Sequence, residues 1–389
     1  MEIRLNRQQF LGELAPMQGI VERKTTIPVL SHILLTAEGD RLRLAATDLD
    51  VSLTSSVRAD VVSDGAIAVP AKKFMEIIRA LVGEEVHLAE EEPQWLTIKA
   101  GRSRFKIHGM KPEDFPQLPE VAEEFALEIP FSSFRRMISK VLFAVSAEES
   151  RFQLNGALLK LKRDSVEMVA TDGHRLALVE TDLAASNGRE DQVLVPRKAL
   201  QELERFEGGE KLGYRRGEHH LSFNLGRREL ICRILEGTFP DYERVIARDN
   251  DKHVVFERRP FGDAVQRVAL LTGDRARAVR LQFQADQMSV STANPDLGEA
   301  TEEVPCDYEG EEFRLGINPD YLRDFLGAVD TDQVRFELKD ENTQAVGYPV
   351  SANGGPGGEE GAEEDEGKGA AGGAPTDRRY LCVIMPMRI

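Results

Sequence analysis

Apolar residues recur at helical spacing near the start of each third of the chain. Phe10, Leu14, Met17 and Val21 share one face; Phe134, Met137, Ile138, Val141, Leu142 and Val145 share another, and Phe261, Val265 and Val268 a third. The leading phenylalanines lie 124 and 127 residues apart. Behind each helix the period shortens to two. Ile33–Ala37 and Leu42–Ala46 flank Glu38-Gly39-Asp40, the pattern of a hairpin, and Leu49, Val51 and Leu53 alternate with polar residues as a further strand. Ala157–Leu161 with Val166–Val169, and Leu281–Phe283 with Met288–Val290, repeat the arrangement. A second helix follows each set, entered through Pro70, Pro196 and Pro319. Proline suits a helix's first turn because an N–H there has no intrahelical partner. These helices turn Phe74, Ile77, Ile78 and Leu81, then Leu200 and Leu203, then Tyr321, Leu322, Phe325 and Val329 toward a core.

Other landmarks keep the same interval. Ala46-Thr47-Asp48 recurs 124 residues later as Ala170-Thr171-Asp172, with a fainter echo at Thr292-Ala293-Asn294. Gly101–Phe105 returns as Gly226–Leu230, and Phe115-Pro116 as Phe239-Pro240. The pattern predicts an α+β chain of three similar helix–strands–helix–strands domains, at 1–124, 125–251 and 252–389. Residues 353–375 stand outside it, with nine glycines, five glutamates, Asp365 and Lys368 but no large apolar side chain. Such a stretch buries too little to offset its ordering entropy, which predicts a disordered insertion.

A chain of 389 residues, 41% apolar and 30% charged, suits several soluble globular domains. Met1-Glu2-Ile3-Arg4 lacks the apolar core of a signal peptide, and no 18-residue apolar run could span a membrane. Cys232, Cys306 and Cys382 lie far apart without paired metal spacing, which predicts buried reduced thiols in a cytoplasmic protein with no metal or other cofactor.

Asp172 and His174 have the spacing of an acid–base pair, but no nucleophile elbow, phosphate loop or metal-spaced set accompanies them. The recurrence of Asp172 as Asp48, with no histidine after it, predicts a turn whose carboxylate bonds local backbone. No catalytic residue is therefore expected. The formal charge of −17 argues against a polyanion partner, yet its distribution argues the other way. Phe131–Ala147 carries Arg135, Arg136 and Lys140 without an acid, all off the apolar face and expected to point outward. Lys72, Lys73 and Arg79, then Arg197 and Lys198, decorate second helices; Arg102 with Arg104, and Arg275, Arg277 and Arg280, add to the set. Basic helix faces repeated in an acidic chain suit sequence-independent phosphate contact.

Seven motifs, in order along the chain, resemble one family: Ala71-Lys72-Lys73-Phe74, Gly101–Phe105, Leu154-Asn155-Gly156, Ala170–Leu176, Val195–Lys198, Phe239–Tyr242 and the terminal Val383–Ile389. That family is the beta sliding clamp of bacterial DNA polymerase III. The resemblance implies a head-to-tail homodimer of three-domain chains, closed into a ring around duplex DNA, that confers processivity. It implies DNA contacts by Lys24, Arg102, Arg104, Arg151, Phe152, Gln153, Arg197 and Lys198. Some members carry arginine in place of Lys24 and a tyrosine pair in place of Phe152-Gln153. It further implies a pocket for partner peptides at Leu154, Thr171, Gly173, His174, Arg175, Leu176, Pro240, Arg244, Val245, Val383, Met385, Pro386 and Met387. The dimer contact would pair Phe105 and Ile107 with Leu270 and Leu271. The implied partners are double-stranded DNA, a second copy, the clamp loader, the replicative polymerase and other proteins with a clamp-binding motif. The alternative is a repeat-built interaction scaffold that does not surround DNA.

Overall fold

The computed structural model describes residues 1–22, 25–121, 125–148, 150–182, 190–273, 277–350 and 377–388. Lys24, Arg275 and the 353–375 insertion lie outside the described residues. Among the described residues there are six α-helices: α1 (Arg7–Ile20), α2 (Ala71–Ala80), α3 (Phe131–Val141), α4 (Arg197–Arg205), α5 (Arg258–Val268) and α6 (Pro319–Ala328). None is long and apolar enough to cross a membrane. The residues form two compact units, one joining Met1–Ser132 to Lys198–Ile234 and the other Ser133–Arg197 to Leu235–Ile389.

In the first unit, the Asn6 side chain caps α1 by accepting the N–H groups of Gln8 and Gln9. The face of Phe10, Leu14 and Met17 is fully buried, and Phe10 meets Phe74 of α2 edge to face at 5.8 Å. Each such side chain contributes about 1.5–3 kcal/mol by leaving water. An eight-stranded antiparallel sheet runs Phe125–Pro130, Lys211–Arg216, His220–Leu225, Arg228–Arg233, Val51–Arg58, Arg41–Thr47, His32–Glu38 and Gly65–Pro70. Its seam places Arg228–Arg233 beside Val51–Arg58, with Leu230 opposite Leu53. A five-stranded sheet runs Asp60–Ser63, Glu2–Asn6, Glu85–Glu92, Trp95–Ala100 and Ser103–His108, so the last of these is an edge.

The second unit is built alike. Its eight-stranded sheet runs Asp191–Pro196, Gly156–Leu161, Ser165–Thr171, Arg175–Asp182, Asp377–Ile384, Ala345–Val350, Gln333–Leu338 and Lys252–Glu257. Here the seam lies between Arg175–Asp182 and Asp377–Ile384. A four-stranded sheet runs Gly298–Pro305, Gln287–Asn294, Val279–Gln284 and Phe313–Ile317. Phe256, Phe261, Phe325 and Phe336 join its α5 and α6 to the eight-stranded sheet.

Three local expectations change. Leu49 is not part of a strand; it sits in a turn at φ 80° and is 54% exposed. Val21 follows α1 in extended conformation. Pro70 and Pro196 end strands immediately before α2 and α4, and Pro319 alone occupies a first helical position. A proline has no N–H to give a neighbouring strand, so it ends pairing as readily as it starts a helix. The three cysteines are free and buried, and burial pushes the Cys306 thiol up to about 11.

Candidate functional site

The repeated Thr-Asp corner is one hydrogen-bonded turn used twice. Asp48 Oδ1 accepts the N–H groups of Asp50 and Val51, and Asp172 Oδ1 those of His174 and Arg175. Thr47 and Thr171 hydroxyls accept the N–H of Leu49 and of Gly173, the positions at φ 80° and 88°. Asn294 accepts the N–H of Asp296 in the same manner. Glycine suits the left-handed position; leucine there carries strain. Asp172 is therefore committed to backbone and to Arg175 Nε at 3.1 Å, which leaves it no role as a general base toward His174.

Around the second corner an apolar cleft opens. It encloses about 130 Å³ and is lined by Leu154, Thr171, Gly173, His174, Arg175, Leu176, Pro240, Tyr242, Val245, Val383 and Met385. Ten of these are residues singled out from the sequence. Arg244, Pro386 and Met387 do not line it: Arg244 is exposed and paired with Asp241 at 2.7 Å. The Met387 N–H is bonded to the Gly316 carbonyl at 2.8 Å, which directs the tail along a different element. Below the lining, Leu158, Val169, Leu178, Phe239 and Leu381 form a buried apolar bed.

Corner and tail are stitched together by backbone. Arg175 pairs with Ile384, and the Met385 N–H reaches the His174 carbonyl at 2.9 Å. The Arg175 guanidinium donates to Asp324 at 2.6 Å and to the Phe143 carbonyl at 2.5 Å, while lying 4.5 Å from the Tyr321 ring centre. Tyr321 is stacked at 6.4 Å on His174, and its phenol is pushed up by burial first and by the Asp172 charge second. The result is an apolar trough with a polar rim, suited to a short peptide with apolar side chains.

The basic residues separate into exposed and engaged groups. Lys72, Arg102 and Arg135 are exposed, as are Arg151, Gln153 and the 68%-exposed Phe152. Lys73 and Arg104 are exposed but paired, with Glu76 at 2.6 Å and Glu91 at 2.8 Å. Its hydrogen bonds to Lys99, Thr97 and Arg104 pull the Glu91 carboxyl down to about 2. Arg151 also donates to the Asp172 carbonyl at 3.1 Å. Arg197 is half-buried against the Val145 carbonyl, and Lys198 is held by the Asp48 carboxylate and the Ile20 carbonyl. Lys140 corrects the outward-facing expectation. It is 3% exposed, bonded to Asp377 at 2.6 Å and Asp330 at 3.1 Å, and lies over the Tyr380 ring. Helical spacing put it beside Arg136, but two acids from distant segments draw it inward, and they also hold half-buried Arg136.

Phe105, 39% exposed, and half-buried Ile107 lie on the edge strand Ser103–His108. Leu270, 76% exposed, and half-buried Leu271 lie on the turn Ala269–Leu271 that ends α5 and touches the strand Gly298–Pro305.

Comparison with known proteins matches all three thirds to one family. DNA polymerase III beta subunit N-terminal, central and C-terminal domains match residues 1–119, 128–241 and 243–351. The chain belongs to the beta sliding clamp family. The curated beta sliding clamp of Pseudomonas aeruginosa is 38% identical over 349 residues, covering 89% of this chain and 95% of that one. The beta sliding clamp of Caulobacter vibrioides is 37% identical, covering 87% and 94%. The crystal structure of the Pseudomonas aeruginosa DNA polymerase III beta subunit superposes with TM-score 0.87 at 35% identity over the full length of both chains. A second structure of that clamp, bound to griselimycin, also gives 0.87, at 36% identity and full coverage of both chains.

Within this clamp chain, Tyr242 and Tyr321 are not among the residues expected at this site. Tyr242 was one residue of a matching motif, and Tyr321 was placed on the core face of its helix. Tyr321 is in fact half-buried beside Arg175, whereas its neighbour Leu322 fills the core. Aromatic residues at a helix's first turn serve either role, and spacing alone does not separate them.

Proposed function

We propose that two copies of this chain close head to tail into a ring around duplex DNA and tether the replicative polymerase to it. The observation that carries this is a pair of unmatched sheet edges. Each eight-stranded sheet is sealed by the strand after a Thr-Asp corner pairing with the final strand of the next repeat: Val51–Arg58 with Arg228–Arg233, and Arg175–Asp182 with Asp377–Ile384. The repeat makes Gly298–Pro305 the counterpart of the former strands and Ser103–His108 that of the latter. Among the described residues, each of these two has a neighbour on one side only. Their charges are complementary, Arg102, Arg104 and Lys106 on one edge against Glu299, Glu302 and Glu303 on the other. One strand of each kind per chain is the condition for a heterologous contact that closes. Phe105 and Ile107 would meet Leu270 and Leu271 across it.

Each chain contributes three domains, at 1–124, 125–251 and 252–389, so the ring holds six. A closed ring needs only weak phosphate contacts, for which Lys24, Lys72, Lys73, Arg102, Arg104, Arg135, Arg136, Arg151, Phe152, Gln153, Arg197 and Lys198 are the candidates. The apolar cleft takes short peptide segments of the polymerase, the clamp loader and other partners in turn, and its methionine suits such reuse. The griselimycin-bound relative supports a ligand site on this fold. The molecule acts by topology and needs no catalytic group, and buried thiols fit the cytoplasm. A scaffold that does not surround DNA is not favoured, since the curated relatives are named sliding clamps. Sedimentation equilibrium tests the ring: a chain of 43.4 kDa should sediment at twice that mass. A monomer at micromolar concentration would overturn it.

A further inference from the structure

The sheet under the cleft is graded in rows. At the cleft, Thr171 stands opposite Leu176, and Leu176 opposite Val383. Two residues further along the strands, Leu158, Val169, Leu178 and Leu381 form an apolar row. Two more bring a charged row, Lys160–Glu167–Glu180–Arg379, each opposite the next across four strands. Glu167 is 1% exposed. A buried carboxylate beside a second one is costly unless cations and donors surround it. Lys162 supplies 2.9 and 3.0 Å contacts to Glu167 and Glu180.

Lys160 adds a 3.5 Å contact to Glu167 and the Ser165 hydroxyl donates to Glu180 at 2.6 Å, and a further donor comes from the cleft itself. The Tyr242 hydroxyl donates to Glu167 at 2.5 Å and accepts from Lys160 Nζ at 2.8 Å, and Tyr242 is itself a lining residue of the cleft. At the other end of the row Arg379 reaches Glu243, the next residue of the same turn, at 3.4 Å. The turn Tyr242–Arg244 leads directly to Val245, which also lines the trough and whose N–H is bonded to the Tyr242 carbonyl at 3.0 Å. Tyr242 thus links the two: it is a lining residue of the cleft, and its oxygen lies in the charged row.

We propose that the Lys160–Glu167–Glu180–Arg379 row is a positioning element for the peptide cleft, fixing the Tyr242–Val245 wall through the Tyr242 hydroxyl. The inference rests on the cleft reading given above. Residues that never touch a ligand then set how well the trough fits it. A wall held at both ends costs little ordering when a ligand binds; a loosened one must be ordered by the ligand.

The test uses griselimycin as probe, titrated against the full chain by calorimetry beside thermal unfolding. Y242F keeps the ring and removes the link. It should weaken binding about tenfold at a temperature where the chain stays folded, while the unfolding temperature falls because the buried Glu167 loses a donor. K160M cuts the same link from its exposed side and should weaken binding in the same sense should Y242F fold poorly. Adding E167Q to Y242F should weaken binding no further, because the connection is already broken; full additivity would show the groups act separately and overturn the proposal. Unchanged affinity in Y242F or K160M overturns it too. V245D, on the cleft wall, separates the two levels. Binding lost in V245D but intact in Y242F overturns this inference alone, whereas intact binding in V245D removes the cleft reading and the inference with it.

Discussion

Lys140 on α3 donates to the Asp377 carboxylate at 2.6 Å across 237 positions of sequence, with both side chains less than a tenth exposed. Asp377 also accepts from the Thr181 hydroxyl at 3.0 Å, so one carboxylate ties a helix to both strands of a sheet seam. The pair anchors the first described residue after the acidic insertion, where the strand pairing shifts register between Glu180 and Thr181. D377A leaves the Lys140 ammonium buried with Asp330 as its remaining acid. The loss should be about 3 kcal/mol, because an uncompensated buried charge costs more than the pair gains. Adding K140M should restore much of it. Urea unfolding reads both; a double variant as weak as D377A would deny the charge explanation.

Two buried glutamates in the first unit should respond to acid in opposite senses. Burial raises the Glu13 carboxyl, but the Arg228 and Ser55 hydrogen bonds outweigh it and hold it below its ordinary 4.5. Its stabilisation is complete above 4.5 and fades as pH falls through the lowered value. R228M should therefore cost about 2 kcal/mol at pH 7 and progressively less in acid. Glu202 is raised by burial, against which Arg205 and Lys198 act only in part. It destabilises when ionised, and that cost disappears as pH falls through the raised value and then 4.5. E202Q should gain about 1 kcal/mol at pH 7 and nothing near pH 3. Identical pH profiles for the two variants would contradict both assignments.

Leu270 offers a clean probe of the proposed contact between copies. At 76% exposure it contributes little to its own chain, so L270D should fold with an unchanged unfolding temperature. In the ring its carboxylate would be buried without a partner, and dimerisation should weaken by at least about 3 kcal/mol. Sedimentation should show a folded monomer at micromolar concentration. Persistence of the dimer would move the interface elsewhere.

Removing Met385 through Ile389 should separate partner binding from ring formation. The tail gives the cleft Met385 and fixes the corner through the His174 carbonyl, whereas the proposed ring contact uses neither. Peptide affinity should drop by about 2–4 kcal/mol, by burial and hot-spot magnitudes. A labelled peptide from the polymerase tail and sedimentation of the truncated chain measure the two effects. Loss of the dimer would make the tail structural.

Much of this was legible in the sequence because the repeat is self-checking. Asp48 and Asp172 cap equivalent turns, and the helices at Phe10, Phe134 and Phe261 begin where the interval places them. The cleft residues followed from the resemblance alone; the repeat marked the corner only as a turn. Tertiary partners were not legible. Lys140 is solvent-facing by helical spacing, and only the fold brings Asp330 and Asp377 onto it. The charged row under Tyr242 is likewise a matter of register. Alternation says that Glu167 shares a face with Val169 and Thr171, but not that Lys160, Glu180 and Arg379 stand beside it. Leu49 looked like a strand residue because its alternation with Val51 and Leu53 is intact, and the positive φ that places it in the turn is invisible in the sequence.

Retention on DNA of defined topology tests the ring most directly. After loading by the clamp loader onto a nicked circular plasmid, the chain should stay bound through moderate salt, since topology rather than phosphate contact holds it. Cutting the plasmid once should release it at that same salt. Equal retention on the circle and the linear product, or loss from the circle as salt rises, would contradict encirclement.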